Sequence, residues 1–430
     1  MNRSRVNDLI IDNRKDGLFR IHRSVFTDPE VLEIERREVF DRCWLYAAHE
    51  SEIAKPGAFL TRNVGGRPLL FVRDERGAVQ VLLNSCAHRG NVVCREGSGT
   101  ARAFTCFYHA WSYNLRGELV GLPEEDGYGP AFNRKEMGLK PVPRSQIYRG
   151  MIFVCFDRNV VDLVTYLGPV REYLDLTLDF SDAEDEILQG TQAFSMRANW
   201  KLLIENSIDP YHLRSTHRRY FQQFLPDMGI DSSKWANWDT GIGIALDGGH
   251  SLFECPILPT PLSESARAEL EALRARLTAK FGAERTRLIT DYMRNIFIFP
   301  NLILISIWRS VRTFYPVAPD YIEITEWGLM PRNESLELRQ RRIGSFMSFL
   351  GPAGFGTPDD VAGLEGCQRG YATMREHGWS DLSRHMLSEV PPGSGELQQR
   401  SFWRRWRALA SGETGATNCT DRMDIRPAAE

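Results

Sequence analysis

A chain of 430 residues with 42% hydrophobic and 11% aromatic content has ample material for packed cores, and its length suggests two domains or one large domain with an insertion. A formal charge of −3 gives no electrostatic case for nucleic acid or an acidic membrane surface, and no apolar run approaches the roughly 18–20 residues that cross a bilayer. The opening MNRSRVNDLIIDNRKDG scatters charge where a signal peptide carries an apolar core, and eight cysteines are too thinly spread for a disulfide framework, so the expected location is the cytoplasm.

Residues 28–44 (DPEVLEIERREVFDRCW) predict an amphipathic helix, with Val31, Ile34, Val39 and Phe40 among its apolar residues. From Gly57 the pattern changes to short β-rich runs, GAFLTRNV, RPLLFVRD and AVQVLLNS. Gly65-Gly66 and Glu75-Arg76-Gly77 separate them and suit hairpin turns. QIYRGMIFVCF (146–156) predicts another strand, so residues 40–156 read as a compact antiparallel β domain. Beyond Asp157 the texture is mixed: an acidic stretch (179–186), a helix starting near Asn199, a charged helix at 263–280, strands at 296–308 and 322–330, then helix again. The fold class is α+β, with a sheet covered on one side by helices. ELQQRSFWRRWRALA (396–410) is basic and aromatic and reads as a terminal helix packed on its own or a neighbouring subunit rather than on a membrane; SGETGAT (411–417) begins a loose tail.

Two segments carry chemistry. In NSCAHRGNVVCREGSGTARAFTCFYHAWSY the pattern is Cys86-x-His88, 17 residues, then Cys106-x-x-His109. Two thiolates and two imidazoles suit either one tetrahedral Zn²⁺ or a [2Fe–2S] cluster with cysteines on one iron and histidines on the other. The Cys-x-His pair is unusual for zinc, which favours Cys-x₂₋₄-Cys. Gly90, Gly97 and Gly99 suit tight loops over sulfur, Phe107, Tyr108 and Trp111 suit shielding from water, and Cys94 reads as a packing residue.

The second segment, NWKLLIENSIDPYHLRSTH (199–217), places His212 and His217 five residues apart. On a regular helix their rings would point about 140° apart, so they share a metal only if the helix ends or bends between them. Pro210 favours such a break, and Asp209 stands three residues before His212, where helix neighbours meet. Two imidazoles and a carboxylate are the ligand set of Fe(II) centres that activate O₂. TPDDVAGLE (357–365) offers Asp359, Asp360 and Glu365, although Thr357, Pro358 and Asp360 read locally as an N-cap, first-turn proline and capping-box acid.

In this order and separation, the two segments resemble the α subunits of Rieske ring-hydroxylating oxygenases, from about residue 30 to about 375. The resemblance rests on Cys86, His88-Arg89-Gly90, Cys106, His109 and Trp111, on Asn199-Trp200-Lys201, Glu205-Asn206, Asp209, Tyr211-His212 and His217, and on Gly351-Pro352-Ala353-Gly354-Phe355 with Asp359-Asp360 and Glu365. Phe299-Pro300-Asn301 is a further match. It implies a Rieske antiparallel β domain (40–156) inserted in a helix-capped antiparallel sheet, START-like, catalytic domain (1–39 and 157–430). It further implies a [2Fe–2S] cluster at Cys86, His88, Cys106 and His109, and mononuclear Fe(II) at His212, His217 and Asp360, which reverses the local reading of Asp360. A trimer is implied, with Asp209 bridging His109 of one chain and His212 of the next.

The spacing is similar to benzoate-type members, which implies cis-dihydroxylation of a single-ring aromatic acid such as a substituted benzoate or p-cumate. Electrons would come from NADH through a ferredoxin or reductase, and a small β subunit is an open possibility. Pocket candidates are Asn206, Leu213, Phe224, Ile305, Met347 and Leu350, with Arg309 or Arg312 as a carboxylate anchor against the plainer expectation that both are surface strand residues. The alternatives are a Rieske monooxygenase or demethylase, a Rieske electron carrier, and a zinc-stabilised hydrophobe-binding protein.

Overall fold

The computed structural model describes residues 3–181, 184–188, 190–232, 241–257 and 260–413; the expected tail thus lies mostly outside the described residues. The chain divides into two units, one of residues 1–39 and 164–430, the other Phe40–Leu163.

In the Phe40–Leu163 unit, strands Val79–Leu83, Arg67–Arg73, Ala58–Val64 and Ser98–Thr100 form one antiparallel sheet in that order. Gly65 and Gly66, both at positive φ (58° and 75°), make the two-residue turn that pairs Val64 with Arg67, as a right-twisted hairpin requires. The run 146–156 is a hairpin rather than one strand: Arg144–Tyr148 and Met151–Cys155 pair antiparallel. Arg149 and Gly150 between them take φ of 51° and 80°, so the turn was hidden inside an apolar run. Leu45–His49 adds a third strand. A core of Phe59, Leu70, Val72, Leu82, Trp111 and Tyr113 closes around Cys86 and Cys106.

In the first unit the expected helix follows a hairpin of Ile10–Asn13 and Leu18–His22 and is shorter than its sequence pattern. Asp28 caps it by accepting from the Glu30 amide at 2.8 Å, Pro29 stands in the first turn, and the α-helix Pro29–Glu35 widens to a π turn ending at Phe40. The dominant element is an eight-stranded antiparallel sheet. Its strands are β1 (Asp185–Ile187), β2 (Gln192–Met196), β3 (Ile242–Ala245), β4 (Ser251–Pro256), β5 (Tyr292–Ile298), β6 (Leu302–Ile305), β7 (Ser310–Ala318) and β8 (Tyr321–Pro331). The order is β1-β8-β7-β6-β5-β4-β3, with β2 also on β8. The expected strand 296–308 is divided between β5 and β6, which pair through the Phe299–Asn301 turn. The charged helix spans Glu264–Phe281, capped by Ser263.

Register fixes which side chains share a face, because directly opposed residues point the same way. Gln192, Glu326, Arg312, Ile303, Phe297 and Ser251 are opposed in one row across β2, β8, β7, β6, β5 and β4. The neighbouring row on the same face runs through Asn295, Ile305 and Ser310. Helix α1 (Trp200–Ser207) covers this face: Trp200 stacks on Phe314 at 6.0 Å, and Asn295 Nδ2 donates to the Ser207 carbonyl at 3.1 Å.

Among the unit's further helices are α2 (Leu213–Thr216), α3 (Leu336–Phe349), α4 (Thr357–Gly370) and α5 (Leu397–Ser411). The basic aromatic stretch is α5, and it is buried within its own unit, with Phe402, Trp403 and Trp406 at 0% exposure. Its arginines work inward: Arg400 donates to the carbonyls of Leu382, Arg384 and Gly395. Among the described residues no helix is long and apolar enough to cross a membrane.

Candidate metal centres

Two loops of the Phe40–Leu163 unit repeat one hydrogen-bond pattern. The Cys86 amide donates to the Asn91 carbonyl and the Gly90 amide to the Cys86 carbonyl, both at 2.8 Å. In the second loop Cys106 donates to Trp111 at 2.8 Å and Ala110 to Cys106 at 2.9 Å. The fifth residue of each loop, Gly90 or Ala110, turns through positive φ (74° and 55°). The turns bring His88 and His109 together with ring centroids 4.5 Å apart, His88 stacked on Trp111 at 5.0 Å.

Both cysteines are buried and free, and their sulfurs are supplied with donors. Tyr113 Oη lies 3.2 Å from Cys86 Sγ, and Asn91 Nδ2 3.6 Å from Cys106 Sγ. Burial opposes ionisation of Cys106, yet the Tyr108 and His109 amides, Asn91 and the Cys86 thiol beside it hold its thiol below the ordinary range. Desolvation, helped by His109 and Arg89, lowers the His88 pKa and favours the neutral imidazole a metal requires. The buried His88 Nδ1 has no hydrogen-bond partner among the described residues. Thiol, imidazole and orphaned nitrogen together fit a metal cluster. Cys94 stands apart: Asn84 binds its backbone, and burial pushes its thiol up to about 11. Sequence reasoning missed Tyr113, Asn91 and Asn84, since a lone polar residue in a β-rich run carries no ligand signature.

In the other unit the break after α1 sets the second centre. The α-helix ends at Ser207, and His212 and His217 bracket the single turn of α2 as its N-cap and C-cap. That is how residues five apart converge, with their Nε2 atoms 3.3 Å from each other. Asp360 Oδ1 lies 3.3 Å from His212 Nε2 and 3.1 Å from His217 Nε2. Among the described residues, these three bring one donor atom each within 4.8 Å of one another. Asp360 is not a capping acid: Gly356 occupies the N-cap of α4, and the Thr357 hydroxyl donates to the Leu350 carbonyl. Asp359 sits 3.7 Å from the far nitrogen of His217, and Glu365 accepts from the Arg197 amide.

Asn206 Nδ2 lies 3.1 Å from Asp360 Oδ1 and 3.2 Å from His212 Nε2. Asp209 Oδ2 lies 3.3 Å from His212 Nδ1, and its other oxygen accepts from the Tyr211 amide. Burial opposes charge on His212, but Asp209 and Asp360 push its pKa up to about 10. Burial likewise opposes charge on Asp360, and the two imidazoles hold its carboxyl well below the usual range. The site is thus built for positive charge, and its nitrogen and oxygen donors fit ferrous iron.

Leu213 packs with Phe221, Ile257 and Ile307 on a cluster of Phe253, Cys255 and Met293. Phe224 stacks on Tyr220 and lies 4.7 Å from Phe355. Ile305 and Leu350 are buried, whereas Met347 is 48% exposed and accepts from Gln192 Nε2 at 2.9 Å. Phe349, absent from the sequence reading, bridges His217 at 5.0 Å and Trp308 at 4.3 Å. Arg309 and Arg312 are buried rather than on the surface. Arg309 binds the Leu329 and Thr177 carbonyls and Asp185, while Arg312 pairs with Glu326 at 3.1 Å.

Matched thiol–imidazole loops in one unit and a two-histidine, one-carboxylate trio in the other are the donor sets of an iron–sulfur, non-haem-iron oxidoreductase. Residues 43–140 match the profile of the Rieske [2Fe-2S] domain, and residues 175–412 that of the ring hydroxylating alpha subunit catalytic domain. The chain is 32% identical over 398 residues to the 2-halobenzoate 1,2-dioxygenase large subunit of Burkholderia cepacia, covering 89% of this chain and 83% of that protein. It is 34% identical over 386 residues to the anthranilate 1,2-dioxygenase large subunit of Acinetobacter baylyi, covering 86% and 81%. The structure of naphthalene 1,2-dioxygenase from Rhodococcus sp. bound to indole matches with a TM-score of 0.84 at 27% identity, over 96% of this chain and 99% of that one. The chain belongs to the family of Rieske ring-hydroxylating dioxygenase alpha subunits, which implies a Rieske cluster and a non-haem iron.

Proposed function

We propose that this chain is a terminal-oxygenase alpha subunit that adds O₂ as a cis-diol to a single-ring aromatic acid of the substituted-benzoate class, p-cumate among the candidates. The observation that carries this reading is the trio His212, His217 and Asp360, on a chain that aligns over most of its length with halobenzoate and anthranilate dioxygenase subunits. Cys86, His88, Cys106 and His109 hold the [2Fe–2S] cluster, and the trio holds Fe(II). When bound, these groups supply one-electron transfer and O₂ activation.

The residues around them position and insulate. Asp209, at Nδ1 of His212, fixes the tautomer that presents the Nε2 lone pair to the trio. Asn206 steadies the Asp360 carboxylate. In a homotrimer, with or without a small β subunit, Asp209 links His212 to the partner subunit's His109. Leu213, Phe224, Ile305, Met347 and Leu350, with Asn206, line the substrate space. NADH is the source of electrons through a ferredoxin or reductase.

The test is aerobic turnover of a panel of substituted benzoates with reconstituted redox partners and NADH. A cis-diol is the expected product. A phenol or a demethylated acid as sole product sinks the dioxygenase reading in favour of a monooxygenase, and zinc in place of iron and sulfide on metal analysis sinks both.

A further inference from the structure

Pro210 ends α1 without satisfying its last carbonyls. Ile208 and Asp209 ahead of it are neither the glycine nor the asparagine that usually turns the chain at a helix C-terminus and lets those carbonyls be met locally. The Asp209 amide takes the Asn206 carbonyl at 3.1 Å; the others are met from distant elements. Asn295 on β5 donates to the Ser207 carbonyl. From α5, Gln399 Nε2 donates to the Glu205 carbonyl at 3.3 Å and Gln398 Nε2 to the Ile208 carbonyl at 2.9 Å. Trp403, one turn further along α5, holds the Glu205 carboxylate.

Gln398 makes the shortest of these side-chain ties to the carbonyls. Its side chain is buried, and the same Nε2 also donates to the Gly393 carbonyl at 2.7 Å. Two carbonyls facing one terminal nitrogen require the two N–H groups of an amide, since a carboxylate would set oxygen against oxygen. From the other side β3 closes in: a Cβ at Gly243 would lie 2.2 Å from Gln398 Oε1, so a glycine there leaves room for the amide. Ile208 is joined directly to Asp209, whose carboxylate lies 3.3 Å from His212 Nδ1. One side chain of α5 thus grips the backbone a single residue before the carboxylate that orients His212.

We infer that Gln398, with Gln399 beside it, is a positioning residue of the second metal centre: it fixes the Ile208 carbonyl and, through it, the place of Asp209 behind His212. This rests on reading His212, His217 and Asp360 as an iron site. Without the amide the Ile208 carbonyl is left buried and unpaired, and the chain after α1 shifts to recover a partner. A shifted Asp209 carboxylate frees the His212 ring to turn, and groups behind a metal-binding histidine are worth about 10–100-fold in metal affinity.

The experiment is anaerobic Fe(II) titration of the holoenzyme after chelation of its mononuclear iron, followed by electron paramagnetic resonance of the ferrous–nitric oxide adduct with the cluster oxidised. Gln398→Met keeps the length of the side chain and removes both donors. It is expected to bind Fe(II) about tenfold or more weakly and to give an altered nitrosyl spectrum. Gln398→Asn draws the amide back by one methylene, and Gln399→Met removes only the longer bond. Both are expected to weaken Fe(II) binding by less, and they decide the question if Gln398→Met does not fold. Arg404→Met is the control on the same helix: Asp12 holds its guanidinium, so the variant is expected to melt below wild type with Fe(II) affinity and nitrosyl spectrum unchanged. Wild-type affinity and spectrum in the Gln398 variants overturn the positioning role. So does an equal loss in Arg404→Met, which would reflect a general loosening of α5. Wild type that gives no ferrous nitrosyl signal overturns instead the iron reading beneath it.

Discussion

Asp209 holds the outer nitrogen of His212 with one oxygen and the Tyr211 amide with the other, so its position is fixed from two sides. Asp209→Ala is expected to leave the visible absorption of the cluster intact while cutting turnover by about 100-fold, the upper end for loss of a carboxylate behind a metal-binding histidine; unchanged turnover would count against the linking role. Glu205, one residue before Asn206, accepts from Trp403 Nε1 at 2.6 Å. Packing around its carboxyl, then Glu396 and Asp209 nearby, push its pKa up to about 8, although part of its surface still reaches solvent. A carboxyl raised in the folded state binds a proton that the unfolded chain has released, so stability falls as pH rises from about 4.5 towards 8. Glu205→Gln keeps an acceptor for Trp403, and its thermal melting point is expected to fall less than that of wild type between pH 6 and pH 9. Parallel melting curves across that range would exclude the effect.

Between the elements, α5 is tied to α1 by buried charge. Glu35 accepts from Lys201 Nζ at 2.6 Å and from the indoles of Trp200 and Trp406 at 2.7 Å each, with Lys201 and Glu35 at 0% exposure. Removing one member leaves the other charge unpaired, so Glu35→Ala is expected to cost about 3–5 kcal/mol, read as a lowered melting point of the holoenzyme. A shift no larger than that of an exposed glutamate substitution would show the network to be dispensable. None of this could be read from the basic aromatic pattern at 396–410. Tandem arginines on a helix usually mark a solvated face, whereas here their partners, such as Asp12 for Arg404, lie hundreds of residues away. Hairpins with paired glycines were legible because the turn itself demands positive φ; the Arg149-Gly150 turn was not, since its first residue carries no such signal.

Across the whole molecule, the cysteine and histidine spacings were legible because ligand spacing is local, and the break at Pro210 foretold how His212 and His217 converge. Asp360 was not legible by local rules. Its partner residues lie about 150 positions earlier; the register of the family resemblance, not local spacing, separated it from Asp359, one residue away, and the trio's geometry agrees. The two centres also differ in softness, thiolate–imidazole against imidazole–carboxylate. A ferrous-iron chelator is therefore expected to abolish turnover without bleaching the cluster, with activity returning on addition of Fe(II) but not Zn(II). Loss of colour in step with activity would contradict two separable centres.

The row Gln192, Glu326, Arg312, Ile303, Phe297 and Ser251 is set by register, and register has parity. One residue gained or lost in the Ser306–Arg309 turn would rotate β7 by half a pleat, sending Arg312 and Phe314 to the opposite face and taking from Trp200 its stacking partner. Side-chain identity in this row can therefore drift while strand length cannot. New ring chemistries in such a scaffold are reached by exchanging residues in place, with insertions confined to loops that leave the parity of β2, β7 and β8 untouched.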